Sequence, residues 1–280
     1  MTADETRPAD APSFTGPAVQ ATFEGFLFDM DGTIIDSTAA VEKHWHTVGN
    51  EIGVAPEVIL QTSHGRRSID ILKILSPEKA NWECKSTRPS SPLPASLVLP
   101  LTSAPDVCSM EGRLPELYGD DAVEIPGARA LLDKLRAQGA PWAIVTSGTE
   151  PLVNGWLGKL DLPKPEHLIT AESVANGKPD PTCYRMGLQA LGLAKQGEEG
   201  TYDVLVLEDS PAGIQSGKAA GCKVLGLVTS HTAAQVAKAE PDWIVEDLRS
   251  VRVVSIEAQS NGGVRTTLEF SNTLVVPKTA

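Results

Sequence analysis

The stretch FEGFLFDMDGT, residues 23–33, decides the fold. Its apolar half is typical of a strand buried on both faces of a parallel sheet. Ligands of open α/β sheets bind at the carboxyl ends of such strands, where Asp29 and Asp31 would lie. Two carboxylates on a turn can hold a hard cation and a phosphate together, and Gly32 would let backbone amides approach the ligand. An Asp-rich turn with a purely structural role is the alternative for this stretch alone.

The composition indicates a globular chain. The 280 residues are 41% hydrophobic and 21% charged, which allows a full core in one large or two unequal domains. The net charge of −12 and the pI near 4.9 argue against generic binding to nucleic acid or anionic membranes, since clustered Lys and Arg neutralise phosphate backbones. No apolar run reaches the roughly eighteen residues of a membrane helix. We therefore expect neither a nucleic-acid nor a membrane partner.

The N-terminus and the cysteines point to a cytoplasmic location. Residues 1–20 are rich in Pro, Ala, Thr and acids and lack the apolar core of a signal peptide, so they predict a disordered tail. The four cysteines show neither a metal-binding spacing nor the density of a disulfide scaffold. A reducing cytoplasm fits this cysteine usage best.

Secondary-structure signals divide the chain into a core and an insertion. Residues 38–50 predict a helix with Asp36 or Ser37 as its N-cap, and a second helical pattern ends at Pro77, before any second strand. Strands and helices then alternate, which is typical of a doubly wound, parallel, Rossmann-like α/β sheet. The predicted parts are a tail at 1–20, a catalytic core at 21–36 and 120–250, a small helical cap at 37–119 and a C-terminal extension at 251–280.

The segment 84–106 is rich in Pro and Ser and has no helical or strand period. A flexible loop is one interpretation. The other is a retained intron, because Cys84-Lys85-Ser86 can encode the splice-donor sequence GTAAGT, and residues 101–106 can encode a branch site and a CAG acceptor. Splicing would remove 22 codons, about 66 nucleotides, and keep the reading frame. The spliced chain would have one Tyr in place of residues 84–106.

Four polar groups fall at strand ends or turns of the predicted sheet. Singly, each has a structural alternative as a helix cap, a helix start or a solvated lysine. Together they predict an active-site edge, because the carboxyl ends of parallel strands lie at the same edge of a sheet. The groups are Asp29 with Asp31, Thr146 with Ser147, Lys178, and Glu208 with Asp209.

These motifs closely resemble those of the haloacid dehalogenase superfamily of aspartyl phosphotransferases. The family's four ordered motifs match DMDGT at 29–33, TSG at 146–148, GKPDP at 177–181 and LEDS at 207–210. The likeness extends over residues 23 to about 250. Within the superfamily, the sequence is most similar to fungal glycerol-phosphate and 2-deoxyglucose-6-phosphate phosphatases.

The resemblance implies a role for each matching residue. Asp29 is similar to the nucleophile that forms an aspartyl-phosphate, and Asp31 to the general acid and base. Lys178 matches the lysine that bridges the nucleophile and the phosphate. The implied phosphate-binding residues are Gly32, Thr33, Thr146, Ser147, Gly148 and Lys178, and the implied Mg²⁺ ligands are Asp29, Asp31, Glu208 and Asp209.

The expected activity is Mg²⁺-dependent hydrolysis of a small sugar or polyol phosphate. Physical chemistry agrees, because Mg²⁺ and Lys178 would offset the repulsion between a phosphate dianion and a carboxylate nucleophile. A sugar phosphomutase of the same fold and a non-catalytic binding protein are the alternatives. Dehalogenation is disfavoured, since halide departure does not need the acid that Asp31 supplies. We expect a monomer or weak oligomer.

The helical insertion resembles the cap that chooses the substrate in this superfamily. His64, Gly65 and Arg66 are the predicted substrate-facing residues, with a purely structural loop as the alternative. Lys43 and His44, one turn into the cap, are further candidates.

Overall fold

The computed structural model describes residues 13–63, 65–80, 107–197, 199–260 and 262–275. Its centre is a six-stranded parallel sheet with the strand order β10-β9-β8-β3-β6-β7. The strands are β1 (Ser13–Gly16), β2 (Val19–Phe23), β3 (Gly25–Phe28), β4 (Ile35–Asp36), β5 (Val123–Glu124), β6 (Trp142–Val145), β7 (His167–Ile169), β8 (Val204–Glu208), β9 (Lys223–Leu227), β10 (Trp243–Val245), β11 (Val251–Ala258), β12 (Val264–Phe270) and β13 (Thr273–Val275).

Helices cover both faces of this sheet and form the insertion. Short 3-10 turns, such as Ala171–Ser173, complete several connections. The α-helices are α1 (Thr38–Ile52), α2 (Pro56–Ser63), α3 (Ser68–Leu75), α4 (Val107–Gly112), α5 (Leu114–Tyr118), α6 (Ala128–Ala137), α7 (Glu150–Lys159), α8 (Thr182–Ala190), α9 (Pro211–Ala219) and α10 (Ala233–Lys238).

The strand β3 lies in the middle of the sheet and is fully buried, as its apolar sequence predicts. Successive side chains of a strand point to opposite faces. Phe26 and Phe28 accordingly pack into one hydrophobic cluster, with Leu205 of β8, whereas Leu27 packs into the other with Val206. The chain passes from β3 to β6 on one side and later to β8 on the other. Asp29 therefore lies where the strand order reverses, the usual ligand position in such sheets.

The cap is a helical insertion between β4 and β5. These two strands pair antiparallel, Ile35 with Glu124 and Asp36 with Val123, so the chain leaves and re-enters the core at one place. The cap helices α1 to α4 share their own cluster of buried side chains: Trp45, Val48, Ile59, Ile69, Ile71, Leu72, Val107 and Met110. The predicted fold, a Rossmann-like core with an inserted helical cap, is confirmed. The helix α2 was absent from the sequence prediction.

The first and last described segments of the chain pair with each other in two small antiparallel sheets. Strand β2 pairs with β12, which pairs with β11, and β1 pairs with β13. The prediction of a disordered tail over residues 1–20 is therefore wrong for 13–20. The physical reason is pairing over more than 240 residues, between Ala21 and Leu268 for example, which local composition does not report. The segment 84–106 lies outside the described residues, and no described helix is long and apolar enough to cross a membrane.

Candidate active site

The predicted residues meet in a cavity of about 90 Å³ between the sheet edge and the cap. Core strands and turns supply part of its wall, and α1, α4, α5 and the segment before α3 supply the rest. The lining residues that the sequence predicted are Asp29, Asp31, Gly32, Gly65, Arg66, Thr146, Ser147, Gly148 and Asp209.

Lys178 lies beside Asp29 and is not among the residues that line the cavity. Its Nζ donates to Asp29 Oδ1 at 2.5 Å, to Glu208 Oε1 at 2.6 Å and to the Val145 carbonyl at 3.1 Å. The ammonium also lies 5.0 Å from the centre of the Tyr184 ring. Burial alone would lower the pKa of Lys178, but the facing carboxylates of Asp29 and Glu208 raise it above its ordinary value. Lys178 is thus a permanent buried cation that holds Asp29 in place.

The carboxylate of Glu208 is fully used as a hydrogen-bond acceptor. Besides Lys178, the Tyr184 hydroxyl donates to Oε1 at 2.9 Å. The Asp209 amide donates to Oε2 at 3.1 Å, and the amide and hydroxyl of Ser210 do so at 3.0 Å. Two oxygens with five donors have no strong remaining acceptor position. Glu208, completely buried, therefore orients Lys178 and the turn that carries Asp209.

Three buried carboxylates beside the cavity concentrate negative charge at one place, as a divalent-cation site requires. One oxygen each of Asp29, Glu208 and Asp209 lies within 4.8 Å of the others, and all three residues are buried. Burial raises the pKa of Asp29 well above its ordinary value, more than Lys178 lowers it. Burial, and next the Glu208 carboxylate, raise the pKa of Asp209 to about 7. This concentration of negative charge is what a bound cation would offset, and oxygen ligands suit a hard cation.

The Thr33 hydroxyl contacts Asp209, one of the predicted metal ligands. The Thr33 side chain is completely buried, does not line the cavity and donates to Asp209 Oδ1 at 3.1 Å. Ser230 donates to the other oxygen of Asp209. A buried carboxylate such as Asp209 needs donors, and the Thr33 hydroxyl supplies one. The predicted contact between Thr33 and phosphate stays a prediction.

Asp31 accepts a hydrogen bond from Ser37, which the sequence predicted as a helix N-cap. Ser37, considered as an N-cap, donates from Oγ to Asp31 Oδ1 at 2.5 Å, while Asp36 Oδ1 accepts from the Thr38 amide at 3.1 Å. Burial raises the pKa of Asp31 more than the Ser37 hydrogen bond lowers it. A carboxyl with a raised pKa beside a nucleophile is suited to donate a proton.

The loop after β6 brings hydroxyl and amide groups to the cavity. Thr146 Oγ1 accepts from the Gly148 amide at 2.9 Å, and Ser147 Oγ donates to the Gly65 carbonyl of the cap at 3.0 Å. Gly65 has φ +74°, and a Cβ there would lie 2.7 Å from the Ser210 side chain. Only glycine fits this close approach of cap and core. His64 lies outside the described residues, and Arg66 lines the cavity with an exposed side chain.

Two buried cap residues contact the core but were missed by the sequence analysis. Glu111, 4% exposed, lines the cavity, and its Oε2 accepts from the Thr149 amide at 2.8 Å. Burial raises the pKa of Glu111 to about 7, although hydrogen bonds from Ser68 and Thr149 lower it. Arg67, 2% exposed, donates to the carbonyls of Ala171, Val174 and Ala175. Arg67 also pairs with Asp70, three residues away, but the core groups that Arg67 and Glu111 contact are distant in sequence and leave no local signal.

The fold and the site define a hydrolase with a Rossmann-like core, an inserted helical cap and buried carboxylates at the sheet edge. A family model described as haloacid dehalogenase-like hydrolase matches residues 23–221. The chain belongs to this family, as the sequence resemblance predicted.

Curated relatives of known activity cover most of the chain. Hexitol phosphatase A of Escherichia coli K12 is 35% identical over 86% of this chain and 97% of the relative. Glycerol-1-phosphate phosphohydrolase 1 of Saccharomyces cerevisiae is 34% identical over 84% of this chain and 86% of its own length. 2-Deoxyglucose-6-phosphate phosphatase 1 of the same yeast is 34% identical, with coverages of 81% and 89%. The predicted likeness to these phosphatases is confirmed.

Solved structures agree on the fold. A hydrolase from Pseudomonas syringae aligns with a TM-score of 0.60 at 21% identity, over 80% of this chain and 94% of that one. A proposed β-phosphoglucomutase from Thermotoga maritima aligns with a TM-score of 0.52 at 23% identity, over 80% and 95%. At these identities the likeness shows the fold alone.

Proposed function

We propose that the chain is a Mg²⁺-dependent phosphatase for a small sugar or polyol phosphate. The observation that carries the proposal is the arrangement around Asp29: a carboxylate that lines the cavity, lies 2.5 Å from a buried lysine and shares its turn with the carboxyl of Asp31. The named phosphatase relatives support the same activity.

The chain's own residues divide the reaction into two steps. In the first, an Asp29 oxygen bonds to phosphorus while the ester P–O bond breaks, and Asp31 gives its proton to the departing alkoxide. In the second, Asp31 takes a proton from water, whose oxygen bonds to phosphorus and releases Asp29 and inorganic phosphate. Lys178 orients Asp29 and lowers its pKa, which favours the ionised carboxylate that attacks phosphorus.

The metal site is proposed as Asp29, Asp209 and the Asp31 main-chain carbonyl. Mg²⁺ bound there would supply positive charge against the phosphate dianion. Glu208 was also a predicted ligand, but its five hydrogen-bond donors favour a role in positioning Lys178. We assign it that role.

Phosphate binding is proposed for the groups that line the cavity near Asp29. These are the Thr146 hydroxyl, the Ser147 and Gly148 main chain, and Gly32. Gly65 and Arg66 would contact the remainder of the ester from the cap.

The proposal also includes the size of the substrate, the cellular location, the oligomeric state and the partners. A small cavity of about 90 Å³ suits a small-molecule ester. Cys108, Cys183 and Cys222 are buried and form no disulfide within the part of the chain that the structure describes, in keeping with a reducing cytoplasm. Composition supports the expected absence of nucleic-acid and membrane partners. We also propose that the protein is a monomer or weak oligomer. No contact among the described residues favours a mutase over a phosphatase.

The test is a phosphate-release screen of purified protein with Mg²⁺. Glycerol phosphate, a hexitol phosphate, 2-deoxyglucose 6-phosphate and p-nitrophenyl phosphate are the substrates. We expect release from at least one polyol or sugar phosphate, and loss of release when the metal is chelated. Conversion of a hexose phosphate into its isomer without phosphate release would show a mutase instead.

A further inference from the structure

The cap places one polar group in the cavity that neither the proposed chemistry nor phosphate binding uses. His44 lies in α1, is 8% exposed and lines the same cavity as Asp29 and Asp31. Its ring packs beside Trp45, with ring centres 5.5 Å apart. The position is therefore next to the substrate space and largely withdrawn from solvent.

The Nε2 atom of His44 has no hydrogen-bond partner among the described residues. Three other buried side-chain atoms there share this property, in Thr149, Trp156 and Thr266, but only His44 belongs to a cavity-lining residue. A buried polar atom without a partner is costly and uncommon in native proteins. A substrate group entering the cavity would supply the missing partner.

The neighbouring cap groups do not need such a partner. Glu111 already accepts from the Thr149 amide at 2.8 Å and is hydrogen-bonded by Ser68. Val41, Trp45 and Leu114 line the cavity with apolar surface. His44 thus adds a single unsatisfied nitrogen to a wall whose apolar part would contact carbon atoms.

We propose that His44 is a specificity-determining residue that hydrogen-bonds, through Nε2, a hydroxyl group in the sugar or polyol part of the substrate. The proposal rests on the phosphatase function proposed above. Burial, and next the charge of Arg113, lower the pKa of His44 to about 4, so the imidazole is neutral at physiological pH. A neutral imidazole donates at one nitrogen and accepts at the other, which suits a hydroxyl, itself both donor and acceptor.

The experiment compares His44→Phe and His44→Gln on two kinds of ester. Phe keeps a planar ring but has no nitrogen, whereas Gln keeps an amide near the Nε2 position. The substrates are the best polyol or sugar phosphate from the screen and p-nitrophenyl phosphate, which has no aliphatic hydroxyl. His46 is exposed on the same helix and does not line the cavity, so His46→Phe is the matched control.

We expect His44→Phe to lower kcat/KM for the polyol phosphate by about tenfold or more, mainly through KM. Hydrolysis of p-nitrophenyl phosphate should be unchanged, and His44→Gln and His46→Phe should keep most of the activity. An equal loss on both esters, or no loss on either, would overturn the inference. Wild-type protein that hydrolyses only p-nitrophenyl phosphate would overturn the hydroxyl contact but keep the phosphatase chemistry, and protein that hydrolyses neither would refute both.

Discussion

Replacing Glu111 by Gln should stabilise the protein in a way that depends on pH. The carboxyl is 4% exposed, and its pKa is raised from 4.5 to about 7, with burial as the largest cause. Because the folded state holds this proton more tightly than the unfolded state, wild-type stability falls as pH rises from about 4.5 to 7 and is then constant. A shift of this size is worth about 2.5 kcal/mol between pH 5 and pH 8.

The assay is urea unfolding of both proteins at pH 5, 6, 7 and 8. Gln removes the titration but keeps an acceptor for the Thr149 amide, so its advantage over the wild type should grow by about 2.5 kcal/mol across this range. Glu116→Gln, on the exposed side of α5, is the control for the same substitution outside the cavity. A difference for Glu111→Gln that stays constant from pH 5 to pH 8 would refute the reasoning.

Two further predictions follow from the contacts of buried cations, and a third follows from the sequence of segment 84–105. Lys178→Met leaves the buried carboxylates of Asp29 and Glu208 without their cation. Urea unfolding at pH 8 should therefore show a free energy of unfolding lower by about 3–5 kcal/mol. An unchanged free energy of unfolding would contradict the pairing. Arg67→Met leaves core carbonyls unpaired and should cost about 3 kcal/mol, measured the same way, with Arg66→Met nearly neutral for stability. If segment 84–105 is intronic, cDNA sequencing will show a 258-residue frame; transcripts that all retain these codons would refute that hypothesis.

Much of the fold could be predicted because its signals are local. The apolar run of β3, followed by Asp29, identified the central strand and the site edge, and the alternation after residue 120 identified the parallel sheet. The strands at 13–16 and 19–23 could not be predicted, since their partners lie at the other end of the chain. Composition alone predicted a disordered tail over residues 1–20.

The core of the site was predictable for a related reason. Its motifs are short and fall at strand ends, so the positions of Asp29, Thr146 and Asp209 follow from topology. Roles that depend on a distant partner were not predictable. The hydroxyl of Thr33 donates to Asp209, a contact that the motif does not report, and Glu111 lines the cavity from a cap helix with no motif of its own.

The central claim is that Asp29 carries the phosphoryl group during hydrolysis. The most direct measurement is mass spectrometry of acid-quenched protein during turnover of glycerol phosphate or another hydrolysed ester with Mg²⁺. We predict one phosphoryl group on the peptide that contains Asp29, located on Asp29 and not on Asp31, and none in Asp29→Asn, which should stay folded and release no phosphate. Phosphate release by Asp29→Asn, or a phosphoryl group on any other residue, would contradict the account.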